Sequence, residues 1–174
     1  MPFPNLVKSV AGVAQPGDFA SSNPRASLDA GQGQFVADAA GCIVAHFAWI
    51  GAGGNTLTSV GTAAVQPAAF IHREMNALIA TYLSENTMVI LQGLPVTGMI
   101  MGDYWASDIS GLAAVPRGST VWARLTDGAV GISAAGTGAD LPGGAVAYVK
   151  TNWLTTSVIS QVGDLVKISS YQPV

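Results

Sequence analysis

The chain has 174 residues, of which 10% are charged and 49% hydrophobic, and it carries a formal net charge of −3 and a single cysteine. A chain of this length can bury a core of its own, and one cysteine excludes both an internal disulfide framework and a cysteine-rich zinc site. The seven lysines and arginines are spread singly along the chain, which excludes the clustered basic patch that non-specific nucleic-acid binding requires.

Residues 1–34 read as an extended N-terminal arm that precedes a β-rich domain of residues 35–174. Prolines and glycines punctuate the arm, and no helical or strand period is sustained in it. Its hydrophobic side chains favour an arm that lies on a surface over a solvated tail; they are Phe3, Leu6, Val7, Val10 and Phe19. An arm that lies on a partner and a segment folded back on its own domain both remain open.

From Phe35 onward, short apolar runs separated by Gly, Pro, Asp and Asn predict an all-β fold of sandwich, jelly-roll or barrel type. The predicted strands are residues 42–50, 88–91, 96–101, 120–125, 129–133, 145–150, 156–161 and 165–171. Asp127 and Gly128 lie between two of these runs, and this pair favours the type I′ turn of a β-hairpin.

One segment, residues 72–86, has a helical period instead. Its apolar side chains recur at the spacing of one helix face; they are Met75, Leu78, Ile79, Tyr82 and Leu83. We expect an amphipathic helix that packs as a lid over one end of the β core.

Two long stretches, residues 39–71 and 86–102, contain no Asp, Glu, Lys or Arg. Neither predicts a membrane-spanning helix, because glycine, proline and polar residues interrupt both of them. The N-terminus shows no signal-peptide pattern. The sequence therefore predicts a protein made in the cytoplasm, with no membrane partner, whose low charge is explained by assembly with other protein.

The residue types that carry chemistry form no catalytic, cofactor-binding or metal-binding motif. In a strand, Cys42 and His46 would lie about 13 Å apart, which is too far for a cysteine–histidine dyad. Asp103 and Asp108 are the closest acidic pair outside the arm, and both are explained as loop residues. We therefore predict no catalytic residue, no cofactor and no metal, whereas the tryptophans and tyrosines suit a protein interface.

Six short segments follow one another along the chain in a characteristic order. They are residues 17–26 (GDFASSNPRA), 47–49 (FAW), 70–74 (FIHRE), 77–79, 82–83 and 102–105 (GDYW). In this combination they resemble the structural cement, or capsid decoration, proteins of tailed double-stranded DNA bacteriophages. The resemblance covers about the first two thirds of the chain, and no motif after about residue 113 contributes to it.

The resemblance implies a non-enzymatic virion protein, made in the cytoplasm of the host bacterium, that binds the outer surface of the assembled head. Its partners would be the major capsid protein, whose neighbouring subunits it clamps, and further copies of itself in a dimer or trimer. We expect the arm to lie on capsid protein through Phe3, Phe19, Asn23 and Arg25, and Trp105 to contribute to partner binding. The apolar β surface would then form the homo-oligomer.

Two other classes of function compete with this one. A phage-encoded ligand- or carbohydrate-binding β-module for host-surface attachment would use Trp105 and Trp153 as stacking platforms. A small hydrolase would need a cleft in which acids and a histidine converge, and the sequence shows no such set.

Overall fold

A computed structural model describes residues 14–62, 65–74, 88–112, 114–159 and 164–171. In these ranges the chain forms thirteen β-strands and one turn of 3-10 helix at Ala145–Ala147, so the all-β prediction is confirmed. Of the helix predicted over residues 72–86, positions 75–86 lie outside the described residues, and residues 72–74 are not helical.

The strands are short, and most have two to five residues. They are β1 (Ala26–Ser27), β2 (Val36–Ala37), β3 (Cys42–Ile43), β4 (Phe47–Ile50), β5 (Thr56–Thr58), β6 (Ala69–Ile71), β7 (Val89–Ile90), β8 (Gly98–Met101), β9 (Asp103–Ser107), β10 (Thr120–Arg124), β11 (Val130–Ser133), β12 (Tyr148–Thr155) and β13 (Leu165–Ser169).

Two main sheets face each other, and a small one completes the fold. The first has the order β1-β8-β6-β4-β5-β2, and all its pairs are antiparallel except the parallel pair β2–β5. The second has the order β11-β10-β12-β13-β9 and is antiparallel throughout. Strands β3 and β7 form a separate antiparallel pair.

The chain passes from the first sheet to the second at one residue, Gly102, between β8 and β9. Gly102 has a φ of 134°, and a Cβ atom added there would lie 2.8 Å from the hydroxyl oxygen of Tyr104. Glycine is the residue that accepts both this backbone conformation and this close approach. The first sheet is thus built from residues before Gly102 and the second from residues after it.

The core lies between the two sheets and centres on four aromatic rings. Phe47 and Phe70 come from the first sheet, whereas Tyr104 and Trp153 come from the second. The Phe47 and Phe70 rings meet edge to face with centroids 5.4 Å apart, and the Trp153 ring lies 5.9 Å from Phe47 and 5.8 Å from Tyr104. Such tilted and edge-to-face arrangements are favoured by the aromatic quadrupole.

The run predicted as one strand over residues 42–50 is two strands. Ala45, between them, has a φ of 64°, which breaks the extended conformation. Its N–H donates to the carbonyl of Ile71, and the N–H of Val44 donates to that of Met88, so the two halves of the run pair with different neighbours.

The remaining predicted strands differ from the observed ones mainly at their ends. The segment over 145–150 begins as the 3-10 turn and becomes strand only at Tyr148. Within the described part of 156–161 there is no strand, and Ile159 makes a single bridge with Val115.

The hairpin predicted at Asp127–Gly128 joins β10 to β11. Of the two turn residues, Gly128 has a left-handed φ of 74° and Asp127 does not, so the turn is not the predicted type I′. The Asp127 carboxylate instead accepts hydrogen bonds from the N–H of Ala129 and from the Arg124 guanidinium.

Candidate interaction surfaces

The segment around residues 17–20 extends the outer edge of β9. The N–H of Gly17 donates to the carbonyl of Trp105 (2.7 Å), the N–H of Trp105 donates to that of Asp18 (2.9 Å), and the N–H of Ala20 donates to that of Asp103 (2.9 Å). An edge strand would otherwise leave these backbone groups without a partner. In this part of the predicted arm, the chain therefore lies against its own domain.

Phe19 projects from this segment and is 38% exposed. Its ring stacks on His72 at a centroid distance of 3.9 Å and lies 5.6 Å from the ring of Tyr104. The guanidinium carbon of Arg25 lies over the same ring, 3.8 Å from its centroid, which is a cation–π contact. Together they form a small surface patch of one cation and two stacked rings.

Asn23 fixes the chain between Phe19 and Arg25. Its amide nitrogen donates to the Asp103 carboxylate (2.6 Å), and the hydroxyl of Ser21 donates to the same oxygen (2.5 Å). Downstream, the Tyr171 hydroxyl donates to the carbonyl of Pro24. These bonds join the segment to β9 and to the end of β13.

Of the residues predicted to bind a partner, the structure brings Phe19, Asn23 and Arg25 together. Trp105 lies on the opposite face of the second sheet, because neighbouring residues of a strand point to opposite sides and Tyr104 is buried in the core. The ammonium of Lys167 lies 4.9 Å from a Trp105 ring centroid. Phe3 lies outside the described residues, and the partner-binding roles of all five residues stay predictions.

A second surface, which the sequence motifs did not indicate, runs along the first sheet and over its open end. It carries five large hydrophobic side chains that are 36–54% exposed; they are Ile50, Val60, Val65, Ile100 and Met101. We call this surface the uncharged strip, because charged side chains are almost absent from the lining of its two grooves. Among the described residues, Asp38 is the only charged residue that lines either groove.

The two grooves of the uncharged strip meet at Gln66 and Ala68, which line both. The inter-sheet groove, about 360 Å³, opens between the two sheets; it is lined by Ala26, Phe47, Gln66, Pro67, Ala68, Ala69, Ile100, Met101, Thr151, Asn152, Trp153 and Ser170. The β4–β5 groove, about 350 Å³, has Trp49, Ile50, Val60 and Val65 on its walls.

A signal for this strip is present in the sequence of β8. Met99 is buried and its neighbour Ile100 is 44% exposed, so this strand is apolar on both faces. Apolar residues on both faces indicate a strand that is covered on both sides. Motif searching overlooks this pattern, because no residue type in it carries chemistry.

Cys42 and His46 are each hydrogen-bonded to a backbone carbonyl and not to each other. The Cys42 thiol donates to the carbonyl of Leu57 (3.0 Å), and burial raises the pKa of this thiol to about 12. His46 instead contacts the carbonyl of Asp127 through Nδ1 (2.8 Å). Burial lowers the pKa of His46, so neither side chain is prepared as a nucleophile or its base.

The acidic pair noted in the sequence is held by separate partners. Asp103 accepts from Ser21 and Asn23, whereas the Asp108 carboxylate accepts from both the N–H and the hydroxyl of Ser110. Burial raises the pKa of Asp108. Within the described ranges, no three His, Cys, Asp or Glu side chains gather as metal ligands would, and no helix has the length and apolarity to cross a membrane.

Trp153 does not form the exposed stacking platform that a carbohydrate-binding module requires. It is 7% exposed, and its ring packs against Phe47, Phe70 and Tyr104 in the core. Its edge reaches only the wall of the inter-sheet groove.

Comparison with known proteins agrees with the resemblance to phage head proteins. No curated protein matches the chain. A solved structure described as the capsid of Myoviridae phage XM1 has the same fold, with a TM-score of 0.63 over 98% of each chain at 14% sequence identity. The family described as XM1 gp53 minor capsid protein matches residues 4–170, and the chain therefore belongs to this family of phage capsid proteins.

Proposed function

We propose that the protein binds the outer surface of the assembled phage head and clamps neighbouring major capsid protein subunits, as a structural component without enzymatic activity. The family match over residues 4–170 is the observation that carries this proposal.

The uncharged strip supports a role in assembly. Five large hydrophobic side chains exposed on a chain with 10% charged residues cost solvation free energy unless protein covers them. The β4–β5 groove, with Ile50, Val60 and Val65 at its rim, is the part of the strip that we assign to capsid protein.

The patch of Phe19 and Arg25 supplies a second contact, at the edge of the other sheet. Aromatic and arginine side chains are enriched among residues that dominate binding energy at protein interfaces. In this proposal Asn23 acts indirectly, by holding the segment to Asp103, and Trp105 adds a contact on the outer face of the second sheet. Two linked contacts on neighbouring subunits hold more tightly than either alone, because the second one becomes intramolecular.

Co-sedimentation with phage heads tests the proposal. Purified protein is mixed with expanded heads that lack it and with unexpanded precursor shells, and bound protein is measured in the pellet. Saturable binding to expanded heads, with heads that then resist heat better, is the expected result. Absence of binding to both shells would remove the clamping function and leave only the family fold.

Matched variants locate the capsid contact on the protein surface. Val65→Glu places a charge in the β4–β5 groove, whereas Val146→Glu places the same charge at a valine that is 85% exposed in the 3-10 turn. We expect Val65→Glu to weaken head binding at least about tenfold and Val146→Glu to leave it unchanged. Equal effects would show that the β4–β5 groove is not the contact.

A further inference from the structure

Arg25 is the outermost member of a stack of three side chains. The centroid of the Phe19 ring lies 3.9 Å from that of His72 and 3.8 Å from the guanidinium carbon of Arg25. Two groups this close to one centroid must occupy opposite faces of the ring, because each face has room for only one of them. The guanidinium therefore lies on the face of Phe19 opposite His72, and Arg25 is exposed.

The backbone is held on both sides of Arg25. On one side, the Tyr171 hydroxyl donates to the carbonyl of Pro24. On the other side, Ala26 pairs with Met101 across β1 and β8. A side chain that is held in place before it binds loses less conformational entropy on binding. The backbone and the Phe19 ring together thus prepare Arg25 as a contact residue.

The guanidinium of Arg25 has no oxygen acceptor among the described residues. The ion pairs found there involve other arginines; they are Arg73–Asp18 and Arg124–Asp127. The Asp103 carboxylate, which holds this segment, accepts from Ser21 and Asn23 instead. Contact with a ring face provides no oxygen acceptor for any of the five N–H donors of a guanidinium. These donors are therefore available to a partner.

A protein that covers this patch takes the guanidinium out of water. Phe19 is 38% exposed, and Met101, which lies opposite Ala26, is 36% exposed, so the apolar surface to be covered is next to the charge. A charge that is buried without a counter-charge costs much free energy. A carboxylate neutralises the charge and accepts two parallel N–H bonds, whereas a carbonyl oxygen leaves the charge in place.

We propose that Arg25 receives the carboxylate of an aspartate or glutamate side chain of the major capsid protein. The inference rests on the proposed function and adds the chemistry of the partner, which is one acidic side chain flanked by apolar ones that cover Phe19 and Met101. The chain carries a net charge of −3, so its overall charge does not attract an acidic surface. The pairing is therefore a local contact.

A carboxylate on a second copy of this chain is the competing partner. Five of the described aspartates are already bonded to side chains of their own chain; they are Asp18, Asp103, Asp108, Asp127 and Asp140. Breaking such a bond would offset the gain from a new pair with Arg25. The capsid protein is thus the favoured partner, and the self-association of the variants distinguishes the two.

Co-sedimentation of arginine variants with expanded heads tests the pairing. Arg25→Gln removes both the charge and the planar fork, Arg25→Lys keeps the charge without the fork, and Arg117→Gln changes another exposed arginine. We expect Arg25→Gln to weaken head binding at least about tenfold and Arg25→Lys about threefold. Arg117→Gln should bind as the wild-type chain does.

Amidation of the carboxylates on the heads identifies the partner group. Heads are treated with a carbodiimide and glycinamide, which converts exposed carboxylates to neutral amides, and binding is measured again. We expect amidation to weaken binding of the wild-type chain and of Arg117→Gln, and to affect Arg25→Gln much less. Such non-additive losses indicate that Arg25 and the amidated group contact each other directly.

Hydrogen exchange of the Ala20 amide separates a lost contact from a loosened segment. Arg25→Gln also removes the cation above Phe19, whereas Arg25→Lys keeps a cation there. If Arg25→Gln lowers the protection of Ala20, then Arg25→Lys decides: weaker head binding with unchanged protection supports the pairing, and unchanged head binding contradicts it.

Three results would overturn the inference while wild-type chain still binds heads. They are equal binding by Arg25→Gln and Arg117→Gln, an equal effect of amidation on wild-type chain and Arg25→Gln, and a loss of self-association by Arg25→Gln in sedimentation velocity without heads. The third result would assign Arg25 to a second copy. In all three cases the clamping role survives, whereas absence of wild-type binding to heads would remove that role and this inference together.

Discussion

Phe19 and His72 stack ring on ring, with centroids 3.9 Å apart and an interplanar angle of 25°. The His72 ring also contacts the carbonyl of Gly17 through Nδ1 (2.9 Å). His72 therefore anchors the segment before β1 at two points, through its ring face and through its ring edge.

Phe19→Ala is expected to loosen this segment while leaving the two sheets intact. Loss of the stacking and of the Arg25 contact removes about 1 kcal/mol of local stabilisation. The protection of nearby amides from hydrogen exchange should therefore fall several-fold. The amide of Ala20, which is bonded to Asp103, reports this loss, and Val146→Ala is the control at an exposed site. Unchanged protection of Ala20 would mean that backbone pairing alone holds the segment.

Gly128→Ala is expected to destabilise the fold far more than Gly93→Ala. Both glycines have a left-handed φ, of 74° and 78°, so both substitutions carry the same backbone strain of about 1–2 kcal/mol. At Gly128 the added Cβ would also lie 1.9 Å from the carbonyl oxygen of Phe47, whereas at Gly93 nothing lies within 4 Å. Urea unfolding should show Gly128→Ala as the less stable by at least about 2 kcal/mol, and similar values would contradict the close approach of the β10–β11 turn to β4.

His46→Gln is expected to flatten the dependence of stability on pH. Burial lowers the pKa of His46 below 6.5, against the opposing effect of the Asp127 carbonyl and carboxylate. Protonation therefore favours the unfolded chain: the stabilisation is complete above pH 6.5 and declines as pH falls toward the folded-state pKa. The free energy of unfolding, measured between about pH 7.5 and about pH 5, should fall less steeply for the variant, and parallel curves would refute the assignment.

The tryptophans are expected to separate into a core residue and a surface residue. Trp153→Ala removes a ring from the centre of the core and should cost about 3–5 kcal/mol of unfolding free energy. Trp105→Ala removes a half-buried ring and its Lys167 contact, so it should cost about 1 kcal/mol and weaken head binding. Chemical denaturation and head co-sedimentation measure the two effects, and a large loss of stability in Trp105→Ala would place that ring in the core instead.

The sequence was sufficient to predict the fold class, because Gly, Pro, Asp and Asn mark the ends of short apolar runs. It did not predict β1, β2, β5, β6 or β9, since strands of two to five residues are defined by partners distant in the chain. Residues 102–103 illustrate this: they read as a turn, and Gly102 is one, yet Asp103 already begins β9.

The candidate surfaces were predictable only in part. Phe19, Asn23 and Arg25 were predicted as partner-binding residues because their segment resembles a motif of a known family, and that role stays a prediction. The uncharged strip was not predicted from the sequence, because the exposure of Ile50 or Val65 depends on which face of a strand the rest of the fold covers. Which side of a sheet becomes buried is a tertiary property, and periodicity in a short strand does not determine it.

The crossing between the sheets at Gly102 has a consequence for synthesis of the protein. All strands of the first sheet are synthesised before any strand of the second, yet the rings of Phe47 and Phe70 need Tyr104 and Trp153 to cover them. At about 5–20 residues per second, translation of residues 103–174 takes roughly 4 to 14 s. Until the strands of the second sheet have been added, the apolar inner face of the first sheet is not fully covered by its own chain, so we expect the nascent first half to depend on chaperones.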